Sequence, residues 1–151
     1  MLREAFTERL KAAMRAKDTR SLSTVRLILA GLKERDVAAR GSGNLEGIAE
    51  SEIQRMLQGM IKQRRESIAL YQQGKRPELA RQEEEEIAVI ESFLPRQMSE
   101  EETAAAARAA IAETGAAGVE DMGRVMAQLR ERHAGVIDLA RSGAIVKQLL
   151  G

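Results

Sequence analysis

Between Glu50 and Leu94 the chain carries two runs of apolar residues at helical spacing, separated by Gly74-Lys75-Arg76-Pro77, and this arrangement leaves few folds open. Gly74 is a helix stop. Pro77 suits the first turn of a helix, where its missing N–H is not needed and its φ is already helical. The two runs are therefore predicted to be helices, the third from about Glu50 to Gln73 and the fourth from Pro77, folded back on each other as an antiparallel hairpin. Leu94-Pro95 closes the fourth, because proline disfavours helical geometry in the residue before it.

The flanking sequence extends the same pattern. Leu2, Phe6, Leu10 and Met14 mark a first helix that Lys17-Asp18-Thr19 interrupts. Ser21 is placed to cap a second, whose stripe of Leu22, Val25, Ile28, Leu29 and Leu32 runs toward Arg40 and Gly41 before the loop GSGNLEG. Ser99 and Glu102 have capping-box spacing at the start of a fifth helix, which crosses an alanine tract and stops at Gly115. Two short apolar patterns follow, around Met122–Leu129 and Ile145–Leu150, and each is too short to stand without a shared core. Charged residues are 31% and aromatics 2%, which favours helix and leaves little strand material. The expected fold is all-α: an elongated amino-terminal helical domain over residues 1–95 containing the long hairpin, and a small three-helix domain over 96–151.

No cysteine is present, which excludes disulfides, thiol nucleophiles and cysteine-ligated metals. This suits the cytoplasm. Charges interleave with apolar residues from Met1 to Arg15, so a signal peptide or membrane span is not expected there. Net charge is +1, but up to Gly74 there are 14 Lys/Arg against 9 Asp/Glu, and 10 against 14 afterwards. A moderately basic amino-terminal half can meet nucleic acid, although dedicated binding domains are usually more basic.

On the third helix Arg64 falls inside the apolar stripe of Ile53, Leu57, Met60, Ile61, Ile68 and Tyr71. Glu83 and Glu86 fall on the matching stripe of the fourth. With the turn centred near Lys75, Arg64 stands opposite Glu86, with Glu83 as the second partner. A part-buried ion pair would fix the register of the hairpin; the other reading is an arginine held out for phosphate. Lys62 and Arg65, with Lys33 and Arg26 of the second helix, would form either a solvated surface or a phosphate-facing strip. Phe6, Phe93 and Tyr71 all sit in apolar patterns, so base stacking is not expected. Four successive glutamates at Glu83–Glu86 point in different directions on a helix and do not make a metal site. His133, the only histidine, has no base and orienting group to make a nucleophile, and no cofactor or catalytic set is recognisable.

Several segments in order, VRLILAGLK from Val25, KQRRESI from Lys62, ELARQEEEEIAVIESFLPRQMS from Glu78, DMGRVM from Asp121 and GAIVKQLL from Gly143, resemble the GatB/YqeY family. That family comprises the tail domain of the B subunit of the tRNA-dependent glutamine amidotransferase and small free-standing relatives. The resemblance implies a non-catalytic helical protein that binds tRNA or a related structured RNA and assists tRNA-dependent amidation. The family's association with carbon–nitrogen ligase activity, using glutamine as amide donor, implies the alternative of an enzyme; an interaction module for an RNA-associated protein is the third. In the portions most like the family, Arg124, Lys147 and Gly123 join Lys62 and Arg65 as candidate RNA contacts, Gly123 because it would let a backbone approach closely. Many members carry a Gly-Lys-Ala-Asp-Gly type turn before the last helix; here Gly135 and Asp138 remain, without the lysine and second glycine.

Overall fold

The helical periodicity is realised along the whole chain. The computed structural model describes residues 1–151, which form seven α-helices, one 3-10 turn and no strand. They are α1 (Leu2–Ala16), α2 (Thr19–Gly41), α3 (Glu50–Gln73) and α4 (Pro77–Glu91), then α5 (Glu100–Thr114), a 3-10 turn at Val119–Asp121, α6 (Met122–Arg132) and α7 (Leu139–Leu150). Cα proximity divides the chain into two units, Met1–Leu94 and Pro95–Gly151. No helix is long and apolar enough to cross a membrane.

In the first unit α1 folds back on α2 and α3 on α4, with α2 also resting on α4. At 24 residues α3 is about 36 Å long. The core takes Phe6 from α1, Val25, Ile28 and Leu32 from α2, Ile53, Met56, Leu57 and Ile61 from α3, and Val89, Ile90 and Leu94 from the end of the hairpin. Each fully buried side chain of this size contributes roughly 1.5–3 kcal/mol. Phe6 and Phe93 meet edge to face, with centroids 4.8 Å apart and planes at 82°, so neither ring presents a free face for a base.

Three local details differ from expectation. Asp18, not Ser21, caps α2: its carboxylate accepts from the Ser21 N–H at 3.1 Å and the Ser21 hydroxyl at 2.7 Å. Ser21 is thus already inside the first turn, as a donor to the charged cap. At the hairpin tip α3 does stop at Gly74, as expected, but with φ −82° there, and it is Lys75 that takes the left-handed turn at φ 58°. Finally, α4 ends at Glu91, because the Phe93 and Leu94 N–H groups bond to Ile90 and Glu91 in a tightened last turn ahead of Pro95.

The second unit is built on helix ends. Ser99 and Glu102 form the reciprocal capping box of α5, at 3.1 Å and 3.0 Å. The small side chains of Ala107 and Ala110 then let α5 close on Val125, Leu129, Ile137 and Val146, which form the core of this unit.

Candidate functional site

The arginine on the apolar side of α3 is held by carboxylates of α4. Arg64 Nε donates to Glu86 Oε2 at 2.9 Å and lies 4.0 Å from Glu83. The three side chains are 12%, 17% and 21% exposed respectively for Arg64, Glu86 and Glu83. Arg64 Nη1 also donates to the Met60 carbonyl at 3.3 Å. Glu86 faces a second cation, Arg20 of α2, at 3.6 Å, while Arg20 Nε donates to Glu85 at 3.1 Å. One carboxylate thus ties α2, α3 and α4. Burial, and after it repulsion from Glu86, pushes the Glu83 carboxyl above the usual carboxylate range. Glu83, Glu85 and Glu86 of the glutamate run are thus divided between Arg20 and Arg64, and Arg64 is engaged inside the hairpin.

The cations read as one strip do not share a face. A side chain built on Gly31 would meet Met56 Sδ at 3.6 Å, so that side of α2 turns toward α3. Lys33 is about 200° farther around the helix and Arg26 lies on the same line as Lys33, so both are turned away from α3. Arg65 is drawn to Glu91 at 3.5 Å. Lys62 is exposed on α3. Arg35, one turn beyond Gly31, does face α3, and there it lines a cleft of about 240 Å³ with Glu52, Arg55 and Met56. Neither Arg35 nor Arg55 is engaged in an ion pair. Arg55 and Lys62 are seven residues apart on one line of α3, about 10 Å along it. Between them lies Gly59, above which a side chain would find nothing within 4 Å. A glycine in mid-helix costs about 0.5–1 kcal/mol relative to alanine, and no packing inside this chain offsets it.

In the second unit Arg124 is committed to closing a loop. Its guanidinium donates to the Thr114 carbonyl at 3.1 Å and to Asp121 at 2.9 Å. Asp121 also accepts the Ala117 N–H at 3.0 Å, and this bond, followed by Arg124, holds its carboxyl below the usual range. Gly123 has open space above it, so neither a neighbouring helix nor any part of this chain approaches it closely. Lys147 stands exposed in the last turn of α7. His133 ends α6, and its carbonyl accepts from Val136 and Ile137 at 3.1 Å each. Its side chain borders an apolar cavity of about 260 Å³ beside Ala106, Ala109, Ala110 and Leu129. In the turn that follows, Asp138 accepts from the N–H groups of Ala140 and Arg141 at 3.0 and 3.1 Å. The start of α7 is capped by its own carboxylate, which answers donors that an anion would otherwise take.

The sequence reading passed over Arg35, Arg55 and Gly59. The line Arg55, Gly59, Lys62 on one side of α3 was legible as a signal. Arg35 was not, because its placement depends on how α2 crosses α3.

A family model described as Yqey-like protein matches residues 3–150. The protein named Altered inheritance of mitochondria protein 41, mitochondrial, from Lachancea thermotolerans, is 33% identical over 85 residues, which are 56% of this chain. The aligned part is 43% of that relative's length.

Proposed function

Since the chain belongs to the Yqey-like protein family, whose model covers residues 3–150, we propose that it is a non-catalytic helical protein that binds tRNA or a related structured RNA. The observation that carries this reading is the contrast between its arginines. Arg64 and Arg124 are engaged within the fold, whereas Arg35, Arg55 and Lys62 are left for an outside anion on one side of α2 and α3. With Phe6 buried and packed on Phe93, recognition proceeds through backbone phosphates and shape rather than stacked bases. Lys62, Lys147, Arg65, Arg124 and Gly123 remain the family-derived contact set, with Lys147 and Lys62 the cations most open to a ligand. Assistance to tRNA-dependent amidation is the role we attach to this binding, in the cytoplasm; the yeast relative is itself named mitochondrial.

A second reading, docking of an RNA-associated protein, is favoured by the outer side of α2. There Val37 is 54% exposed beside Leu29, between Lys33 and Arg40. Titration with a tRNA pool over a salt series separates the readings. RNA binding requires affinity to fall steeply with salt, by nearly one logarithmic unit per decade for each phosphate contact. Absence of binding at low salt refutes it and promotes the protein partner, while turnover of glutamine with an acylated tRNA would restore the carbon–nitrogen ligase alternative.

A further inference from the structure

We propose that the cleft between α2 and α3 is the phosphate seat for that RNA, with Arg35 and Arg55 on its walls and the bare backbone at Gly59 as the place where the strand lies closest. This rests on the RNA reading above and assigns it a site that the family-derived residues, Lys62 apart, do not include. Three observations converge. Two guanidinium groups line one open cleft with no ion pair of their own. Arg55 continues along α3 to Lys62, about 10 Å away, a reach that suits nearby phosphates of one strand. Between these two cations the side chain is missing, and a Cβ there would meet nothing within 4 Å.

The chemistry of the cleft selects its ligand. Arginine presents a planar fork that pairs with two phosphate oxygens, which a lysine cannot imitate. Glu52 stands in the same cleft, so two guanidinium groups face one carboxylate and a single positive charge is left over. That balance suits a singly charged phosphodiester better than a dense cluster of free anions. Met56 forms the apolar floor and has no donor to offer a base edge, so contact there is with the backbone and independent of sequence.

The full-length chain is titrated with a deacylated tRNA pool by fluorescence anisotropy at several salt concentrations. Three variants are compared: Arg35→Gln with Arg55→Gln, Gly59→Gln, and Arg15→Gln as an exposed control. The double variant is expected to bind at least tenfold more weakly, with a salt slope shallower by about 1.4–1.8, the value for two lost phosphate contacts. Gly59→Gln should bind more weakly while melting at a higher temperature, since it fills the notch with a better helix former. A merely destabilising change cannot produce that opposition. Wild-type binding that both variants retain with unchanged slope overturns the seat and leaves the RNA reading intact. No wild-type binding overturns both. Inorganic phosphate at constant ionic strength distinguishes the anion's source: little competition supports an RNA backbone, whereas stoichiometric displacement of tRNA by millimolar phosphate overturns it in favour of a free-anion site.

Discussion

In Met1–Leu94 arginine–carboxylate pairs reach from helix to helix, whereas in Pro95–Gly151 most carboxylates serve the ends of their own helices. The first unit pairs Arg3 with Asp36 at 2.7 Å, Arg20 with Glu85 at 3.1 Å, Arg64 with Glu86 at 2.9 Å and Arg65 with Glu91 at 3.5 Å. In the second, Glu102 closes the box at Ser99 and takes Arg96 at 2.8 Å, Asp121 ties down the loop before α6, and Asp138 caps α7. The pair between Glu113 and Arg132, joining α5 to α6, is the exception. Helix length accounts for the difference. A stripe of similar apolar residues along 24 positions repeats itself every turn, so α3 needs charges at fixed heights to resist sliding on α4. Helices of 11 and 12 residues have a different problem, because the unpaired groups at their ends are a large fraction of all their backbone groups.

If register resides in those cross-helix pairs, Arg64→Leu is the most damaging of the changes considered. It leaves Glu83 and Glu86 part-buried without their nearest cation, and about 3 kcal/mol should be lost in urea unfolding, the low end for a broken buried pair because Arg20 still serves Glu86. A loss under about 1 kcal/mol would show that apolar packing alone sets the register.

Acid should loosen the first unit next. The Arg3 side chain, with the Ile48 N–H, holds Asp36 at about 2 against an ordinary 3.8. A depressed carboxyl contributes stability that is complete above its unfolded value and vanishes as pH falls through the folded one, so the loss belongs between about pH 4 and pH 2. Because Arg3 is partly exposed, we expect roughly 1–2 kcal/mol. Glu102, held at about 2 chiefly by the Ser99 N–H, titrates in the same sense in the second unit. Glu83 works in the opposite direction, since its raised value favours the protonated folded state as pH falls. Thermal melts of the wild type and Asp36→Asn from pH 6 to 2 should converge at the acid end; parallel curves would remove Asp36 from the account.

Asp138→Ala should cost about 1 kcal/mol and show it first as faster amide exchange in α7. Exchange that stays uniform across α5 to α7 would mean that this unit opens as a whole and that its ends matter less than argued. The smallest effect is a gain. Gly123→Ala fills open space in the first turn of α6 and should add a few tenths of a kcal/mol by helix propensity alone. A loss of stability would reveal a close neighbour that the structure does not place there.

The hairpin was the most legible part of the sequence, because Gly74, Pro77 and Leu94-Pro95 punctuate two regular stripes. Arg64 and Glu86 could be set opposite each other by distance from the turn, and they meet at 2.9 Å. Caps were legible where a single candidate precedes the helix, as at Ser99, and misread at α2, where both Asp18 and Ser21 are cap-forming residues and the helix starts at the earlier one, with Ser21 donating to Asp18. What the sequence concealed is tertiary. Met56 enters the core beside Gly31 of α2, and Lys33 parts from Lys62 because α2 turns that side outward. The candidate RNA residues were taken from likeness to a family, which does not distinguish an arginine that closes a loop, as Arg124 does, from one open to a ligand.

The segment between α2 and α3 has a consequence for insertion of foreign sequence. Gly47 has φ 93°, and a side chain there would come within 2.7 Å of Asp36 and 2.8 Å of Arg3. Ile48 is fastened on both sides, its N–H to Asp36 at 2.9 Å and its carbonyl to Arg3 at 2.9 Å. Just upstream, the loop is closed mainly by Asn44, which donates to the Gly47 carbonyl and accepts from Glu46. Lengthening a loop costs only about 0.6 kcal/mol per doubling. Residues 42–45 are therefore the place to graft a peptide tag or probe, whereas the same graft two residues later would pull α1 away from α2.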